Sequence, residues 1–360
     1  MRENGSGDWR RLAAAALILL LTVTMAARAA GKARRMGGTV EALTLREEQE
    51  RTPTERDDDP APSEGVADST GEHADLTMTP ADIAAMEQAF AEEHPAEEGE
   101  DGVREEFFVT DHATDIIGDV AIRNTTETQS PDFAALLEEG APLTVADAAA
   151  PTVLVFHTHT TESYALNGDG LYYPDQPTHR RNSDRNMVRV GDELCAVLAG
   201  RGVGYIHDTE IYDDEYDGAY ARSREAALRY LEEYPTLKIV IDVHRDAFRD
   251  GGKHVKPTAV INGKKAAQVM IIAGAEENGI EYPGWETNLR FALALQKAAQ
   301  SKYMGLMKPL FFCPRRYNMD LTENGALLEI GTEVNTLEEA AYAARLIGDV
   351  IADCVLAAGE

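Results

Sequence analysis

The chain has 360 residues, of which 63 are acidic and 34 basic, and its formal net charge is −29. This excess of negative charge argues against a nucleic-acid-binding surface, because such a surface needs basic patches that neutralise phosphates. The three cysteines, Cys195, Cys313 and Cys354, are far apart in sequence. This spacing predicts buried free thiols rather than a disulfide framework or a cysteine-based metal site.

The N-terminal region contains an uncharged apolar run from Leu12 to Ala27. Its length lies between that of a signal-peptide core and the roughly 20 residues of a membrane-spanning helix. We predict that residues 12–30 form a retained single-pass membrane anchor, and the alternative is a cleaved signal peptide. With the anchor retained, residues 1–11 are cytoplasmic and the remaining chain lies on the extracytoplasmic side of the cell membrane.

The next region is strongly acidic. Residues 46–106 contain 21 acidic and 4 basic side chains, a local charge of −17, and few large apolar residues. Such a composition is typical of a solvated, self-repelling segment, so we predict a flexible linker over residues 31–110. Residues 79–90 have the spacing of a short helix, which we interpret as transient, with a docking element as the alternative.

From residue 111 onward the sequence predicts ordered structure, with a lead-in segment over 111–150 and a catalytic domain over 151–360. Apolar runs typical of strands alternate with amphipathic runs typical of helices. The predicted strands are 153–156, 204–208, 238–243, 258–262, 268–274, 310–313 and 326–331, and the main predicted helices are 187–198, 220–234, 285–304 and 337–357. This alternation predicts an α/β fold with a mostly parallel, twisted sheet and helices on both faces.

Polar residues that suit a metal site follow two of these strands. His159 and Glu162 stand three residues apart after the first strand, and His244 follows a later one. Because ligands bind at the carboxyl ends of parallel strands, we expect these side chains to converge on one Zn²⁺. His157 is the rival to His159, either as ligand or as a support for one. The alternative is a capped strand end whose histidines bond only the local backbone.

Three further residues suit chemistry beside such a metal. Glu329 is a single charge inside an apolar strand, which predicts a catalytic base, with a salt-bridged structural glutamate as the alternative. Asp242 lies two residues before His244 and is placed to orient its imidazole. Arg245 is predicted to bind an anionic group of the substrate or the oxyanion of the attacked carbonyl. For Asp242 and Arg245 an ordinary salt bridge is equally compatible with the sequence.

Seven short motifs extend this pattern over the region from residue 122 to residue 344. They are HTHTTESY at 157–164, VGDEL at 190–194, YARSR at 220–224, IDVHRDA at 241–247, NGKK at 262–265, WETNL at 285–289 and NTLEEA at 335–340. Together these motifs resemble the stage II sporulation protein P family of membrane-anchored peptidoglycan hydrolases. More distantly, the core is similar to zinc-dependent N-acetylmuramoyl-L-alanine amidases, which implies their phosphorylase/hydrolase-like fold.

The resemblance implies roles for individual residues. The two zinc histidines of the amidases match His159 and His244, and their catalytic glutamate matches Glu329. Those amidases take a ligand glutamate from the start of the next helix, where this chain has none. The assignment of Glu162 as a ligand therefore rests on its three-residue spacing from His159. The implied activity is cleavage of the amide between muramic acid and L-alanine, with D,D-endopeptidase action also described for the family.

The resemblance also implies a cellular role. It indicates septal wall thinning and engulfment during sporulation, together with stage II sporulation protein D, a lytic transglycosylase. Two other hypotheses about the function stay open. One is a zinc carboxypeptidase-like peptidase of the cell wall, because the His159–Glu162 spacing also fits that ligand pattern. The other is a non-catalytic wall-binding scaffold in which zinc only stabilises the fold.

Overall fold

The structure is a computed structural model and describes residues 102–165, 168, 170–173 and 177–359. The predicted cytoplasmic N-terminus, membrane anchor, short helix at 79–90 and most of the acidic linker lie outside these residues. Among the helices of the described part, none is long and apolar enough to cross a membrane.

The described chain forms strands and helices close to the predicted positions. The strands are β1 (Val103–Glu106), β2 (Asp115–Ile117), β3 (Val120–Asn124), β4 (Pro151–Phe156), β5 (Gly204–His207), β6 (Ile239–Asp246), β7 (Arg249–Asp250), β8 (Lys253–Ile261), β9 (Lys264–Ala267), β10 (Val269–Gly274), β11 (Leu310–Cys313) and β12 (Asn324–Thr332). The α-helices are α1 (Phe133–Glu139), α2 (Met187–Gly200), α3 (Ala219–Glu233), α4 (Trp285–Lys302) and α5 (Leu337–Ala357).

Eight strands form the main sheet, in the order β2-β3-β11-β10-β12-β6-β4-β5. Five of its seven neighbouring pairs are parallel, and only β2–β3 and β10–β12 are antiparallel. The near-continuous apolar runs of β4, β6 and β12 explain their central place, because a strand covered on both faces cannot alternate apolar with polar residues. The fold is therefore mixed α/β with a large sheet flanked by helices.

The helices cover the two faces of this sheet unequally. On one face, which we call the helix face, α1, α2, α4 and α5 pack on the largest apolar core. On the other face, α3 packs on a smaller cluster built around Leu154, Phe156 and Val240. Further along this second face, Ile272, Phe311 and Leu327 line a cleft, so we call it the cleft face.

The region before β4 belongs to the same folded body. Strand β3 lies inside the main sheet, beside β11, and α1 buries Phe133 and Leu137 in the large core. Strand β1 falls inside the span of the predicted linker, yet it pairs in parallel with β8 and so extends a second, smaller sheet of β1, β7, β8 and β9. Pairing along an otherwise open strand edge explains why this acidic tetrapeptide is ordered.

Strand β6 continues further than the sequence indicates. It extends through His244 to Asp246, because β12 pairs beside it with Glu329 in register with His244. All eight of its residues are buried, including three charged or titratable ones beyond Val243. These polar residues therefore depend on tertiary partners rather than on solvent.

Candidate metal centre

The three predicted zinc ligands meet at the carboxyl ends of β4 and β6. His159, Glu162 and His244 each offer a ligand atom, and these atoms all lie within 4.8 Å of one another. The Glu162 carboxylate lies between the two rings, 3.6 Å from His159 Nδ1 and 3.5 Å from His244 Nδ1. All three side chains are buried. The structure thus brings together Glu162 and His244, which are 82 positions apart in the sequence.

The turn after β4 sets the spacing of His159 and Glu162. The backbone N–H of Glu162 donates to the carbonyl of His159 at 3.1 Å, which closes a tight turn. The carboxylate of Asp213 holds this turn from outside, since it accepts from both the backbone N–H and the hydroxyl of Thr161. The chelate predicted from the spacing of the two ligands therefore has a firm local frame.

Asp242 contacts His244 from behind, a contact that fits both roles the sequence left open for it, namely orienting the imidazole and an ordinary salt bridge. The Asp242 Oδ1 lies 2.8 Å from His244 Nε2 and accepts the backbone N–H of Thr158. Burial alone disfavours a charged imidazole, but the Asp242 and Glu162 carboxylates outweigh it and raise the pKa of His244 well above its ordinary value. The contact with Asp242 directs Nδ1 toward Glu162 and the site.

Arg245 holds the turn that carries Glu162. Its guanidinium donates to the carbonyls of Ser163 and Thr178, and it lies 3.9 Å from the Glu162 carboxylate. Burial disfavours the charged form of Glu162, but Arg245 and the two imidazoles outweigh it and hold the pKa of Glu162 well below its ordinary value. These contacts occupy Arg245 with the turn itself, and its predicted contact with substrate stays a prediction.

Glu329 stands beside the three ligands on the neighbouring strand β12, in register with His244. Its Oε2 is buried and makes no hydrogen bond within the described protein. Burial raises the pKa of Glu329 to about 8, with Asp246 adding to the effect. A carboxyl group with a raised pKa and a free oxygen beside a candidate metal site is suited to accept and return a proton.

His157, the rival ligand, does not belong to this site. Alternation along β4 turns it toward the helix face, where its Nδ1 lies 3.0 Å from the carbonyl of Val243 and its Nε2 lies 2.9 Å from His207 Nε2. His207 in turn contacts Asp192 at 3.1 Å. Burial lowers the pKa of His157 to about 3, so it is neutral and serves as part of the core.

The residues present fit a zinc ion. Two imidazoles and one carboxylate form a common ligand set of catalytic zinc, which leaves a further position open. The buried Nε2 of His159 and Oε2 of Glu329 lack hydrogen-bond partners among the described residues, although buried polar atoms are ordinarily paired. The buried His-Glu-His group is therefore compatible with metal binding.

The candidate site lines a cleft with a cavity of about 190 Å³. Aromatic side chains form its wall: the Tyr216 ring stacks on His159 with centroids 4.8 Å apart, and Tyr220 stacks on Tyr317 at 5.1 Å. Three basic residues that the sequence analysis did not single out also line the cavity, namely Arg123, Lys308 and Arg315. Arg315 follows β11 after one intervening residue, so the rule that found His159 would have indicated it.

Comparison with known proteins gives a consistent result. The profile of the stage II sporulation protein P family matches residues 47–352. Stage II sporulation protein P of Bacillus subtilis (strain 168) is 32% identical over 213 residues, which are 56% of this chain and 50% of the relative. The chain thus aligns with about half the length of this curated relative.

Solved structures with some likeness are N-acetylmuramoyl-L-alanine amidases. Ami1 of Mycobacterium smegmatis has a TM-score of 0.34 at 11% identity, covering 59% of this chain and 99% of that chain. AmiC2 of Nostoc punctiforme has a TM-score of 0.33 at 12% identity, covering 57% of this chain and 96% of that chain. Likenesses of this size carry no conclusion about the activity of this chain.

Fold and site together define an α/β protein with a buried His-Glu-His group at the carboxyl ends of its central strands. The family match covers most of the chain. The protein belongs to the stage II sporulation protein P family.

Proposed function

We propose that this protein is a zinc-dependent peptidoglycan hydrolase of the N-acetylmuramoyl-L-alanine amidase type, with D,D-endopeptidase action on peptide cross-links as a second activity. The observation that carries the proposal is the convergence of His159, Glu162 and His244 within 4.8 Å in a cleft, with Glu329 on the adjacent strand. Family membership supports the choice of peptidoglycan as the substrate.

The side chains divide the chemistry among them. His159, Glu162 and His244 would hold the zinc, which when bound acts as a Lewis acid and lowers the pKa of water. Glu329 accepts a proton from the attacking water and returns it to the leaving amine nitrogen, while the carbonyl carbon of the lactyl group gains the oxygen. Asp242 keeps His244 in the ligating orientation, and Arg245 keeps the Glu162 turn in place.

The cellular part of the proposal follows the family. We place the catalytic domain outside the cytoplasmic membrane, on a single-pass anchor at residues 12–30 and an acidic linker. In this setting it acts with stage II sporulation protein D in septal wall thinning and engulfment. An extended, charged linker gives the domain reach into the wall while it stays attached to the membrane.

The test compares the full chain with its Glu329→Gln variant on purified muropeptides and sacculi. We expect the variant to keep its zinc, measured by metal analysis, and to lose at least about 100-fold in hydrolysis, because the proton acceptor is gone. Glu225→Gln is the matched control, since Glu225 is a highly exposed glutamate on α3.

Mass spectrometry of the products separates the proposal from its alternatives. A free lactyl carboxylate with a new N-terminal L-alanine marks the amidase, and a cut within the peptide alone marks a carboxypeptidase-like or endopeptidase enzyme. Wild-type protein that holds zinc but releases no product from any muropeptide would establish the scaffold and overturn the enzymatic proposal.

A further inference from the structure

We propose that Arg123 and Arg315 form a carboxylate-binding subsite for the substrate's peptide, in the same cleft as the metal ligands. This inference deepens the proposed function and rests on it for the identity of the substrate. Both residues line the same cavity as His159 and Glu329. Neither is near the metal ligands in sequence.

The sheet places Arg123 at a known offset from the candidate metal centre. Arg123 on β3 is in register with Phe311 on β11, which is in register with Ile272 on β10, and Ile272 is in register with Leu327 on β12. The apolar members of this row line the cavity as its floor. Neighbouring strands lie about 4.8 Å apart, so β3 is roughly 14 Å from β12, the strand of Glu329, and roughly 19 Å from β6, the strand of His244.

This offset matches a short extended peptide. An extended chain advances about 3.3–3.6 Å per residue, so a span of about 14 to 19 Å corresponds to roughly four to six residues. A guanidinium reaching inward from β3 shortens this span to about two to four residues. The stem peptide of peptidoglycan begins at the amide that the proposed reaction cleaves, and it carries carboxylates at acidic residues and at its C-terminus within that distance.

The two arginines contact an aromatic ring and a backbone carbonyl of the described chain. The guanidinium of Arg123 lies over the Phe311 ring, 5.2 Å from its centroid, and that of Arg315 donates to the carbonyl of Pro314. Within the described residues, neither guanidinium forms an ion pair with a carboxylate. Lys308, the third cation of the cavity, differs because it lies 3.4 Å from the Asp246 carboxylate.

This difference indicates that Arg123 and Arg315, rather than Lys308, are suited to bind an anionic ligand. A half-buried guanidinium beside apolar and aromatic side chains loses hydration, and an anionic partner restores the lost interaction. A guanidinium presents parallel N–H donors that match the two oxygens of a carboxylate. Asp111 also lines the cavity, but it is exposed, and its carboxylate accepts from the backbone N–H of Val109.

The test uses two disaccharide tetrapeptides that differ only in whether the peptide carboxylates are free or amidated. For Arg123→Gln and Arg315→Gln in the full zinc-loaded chain, we expect kcat/KM on the free-acid form to fall roughly tenfold, mainly through KM. Hydrolysis of the amidated form and the zinc content stay unchanged, because neither substitution touches the metal ligands. Arg229→Gln, an exposed arginine on α3, is the charge-matched control.

A binding measurement accompanies the kinetics. In the Glu329→Gln background, calorimetric titration with the free-acid ligand should show a similar roughly tenfold loss of affinity for each arginine variant. Equal losses with both ligands, or no loss with either, would overturn the subsite. If wild-type protein hydrolyses muropeptides and the arginine variants match it, the proposed function stands and only the subsite is wrong.

A different outcome would show that the proposed function fails, and not only the subsite. If no muropeptide is hydrolysed and none binds to the Glu329→Gln protein, the proposed function fails, and with it the assignment of a peptidoglycan peptide as the ligand.

Discussion

The two faces of the main sheet use the same strands for different purposes. On β6, Ile241 and Val243 enter the large apolar core under four helices, whereas Asp242 and His244 belong to the candidate metal centre. On β12, Leu328 faces the helices and Glu329 faces the cleft. In β6 and β12, the side chains on one face therefore pack in the apolar core, and those on the other face belong to the candidate metal centre or line the cleft.

The comparison shows why buried polar residues are tolerated here. Side chains alternate between faces with a period of two, so a titratable residue can follow an apolar one without entering the same environment. The helix face gains its free energy from excluded water, whereas the metal-site part of the cleft face is held by ion pairs and by hydrogen bonds. If the two faces are independent, substitutions on one should leave the property of the other intact.

The largest effect is expected from neighbouring residues on opposite faces. His244→Ala should abolish both zinc retention and hydrolysis, because one of three ligands is removed. Val243→Ala should keep zinc yet lower the free energy of unfolding by about 2 kcal/mol, because it opens a cavity in the core. Metal analysis and urea unfolding of both variants check this pair. Loss of zinc in Val243→Ala would show that the faces are coupled.

A smaller effect, on zinc affinity, is expected from a substitution of Asp242, which contacts the metal ligand His244. Asp242→Asn weakens the acceptor beside His244 Nε2, so zinc affinity should fall by about 10- to 100-fold while the fold is kept. Competition with a chromogenic chelator measures the affinity. Asp217→Asn, at an exposed aspartate before α3, is the control. Equal affinities for the two variants would mean that Asp242 does not orient the imidazole.

The helix face is probed by two glycines of α2. A Cβ at Gly191 would collide with the imidazoles of His157 and His207, whereas a Cβ at Gly200 meets no atom within 4 Å. Gly191→Ala should therefore lower the free energy of unfolding by about 1–3 kcal/mol. Gly200→Ala should raise it by up to about 1 kcal/mol, because alanine favours the helix. A stable Gly191→Ala protein would argue against close packing of this histidine pair.

The smallest effect is the pH dependence of zinc binding. The pKa of His244 is raised by Asp242 and Glu162, so the metal-free site holds a proton that zinc must displace. Affinity should therefore rise with pH while His244 is protonated, by at most about tenfold per pH unit for one proton, and then level off. Calorimetry in two buffers of different ionisation enthalpy detects the released proton. A binding enthalpy that is the same in both buffers would contradict this.

Much of the candidate site is readable from short stretches of sequence. His159, Glu162 and His244 stand out as polar groups after apolar strands, and Glu329 as a charge inside one. The position of His157 was not within reach, because alternation alone gives His157 and His159 the same face, and only the turn after β4 takes His159 to the metal site. Sequence reasoning missed Arg123, because a single arginine near a strand end is common in surface structure, and it missed Arg315 although its place after β11 follows the rule that found His159.

The sequence by itself determined which segments become strands and helices and which residue types can bind a metal, because both depend on local apolar periodicity and side-chain chemistry. Only the tertiary structure decided the strand order, the antiparallel insertion of β10 beside β12, and the resulting row from Arg123 to Leu327. It also decided that Arg245 holds the Glu162 turn. The physical reason is that an apolar strand carries little information about its neighbours, so contacts across the sheet arise only when all strands pack together.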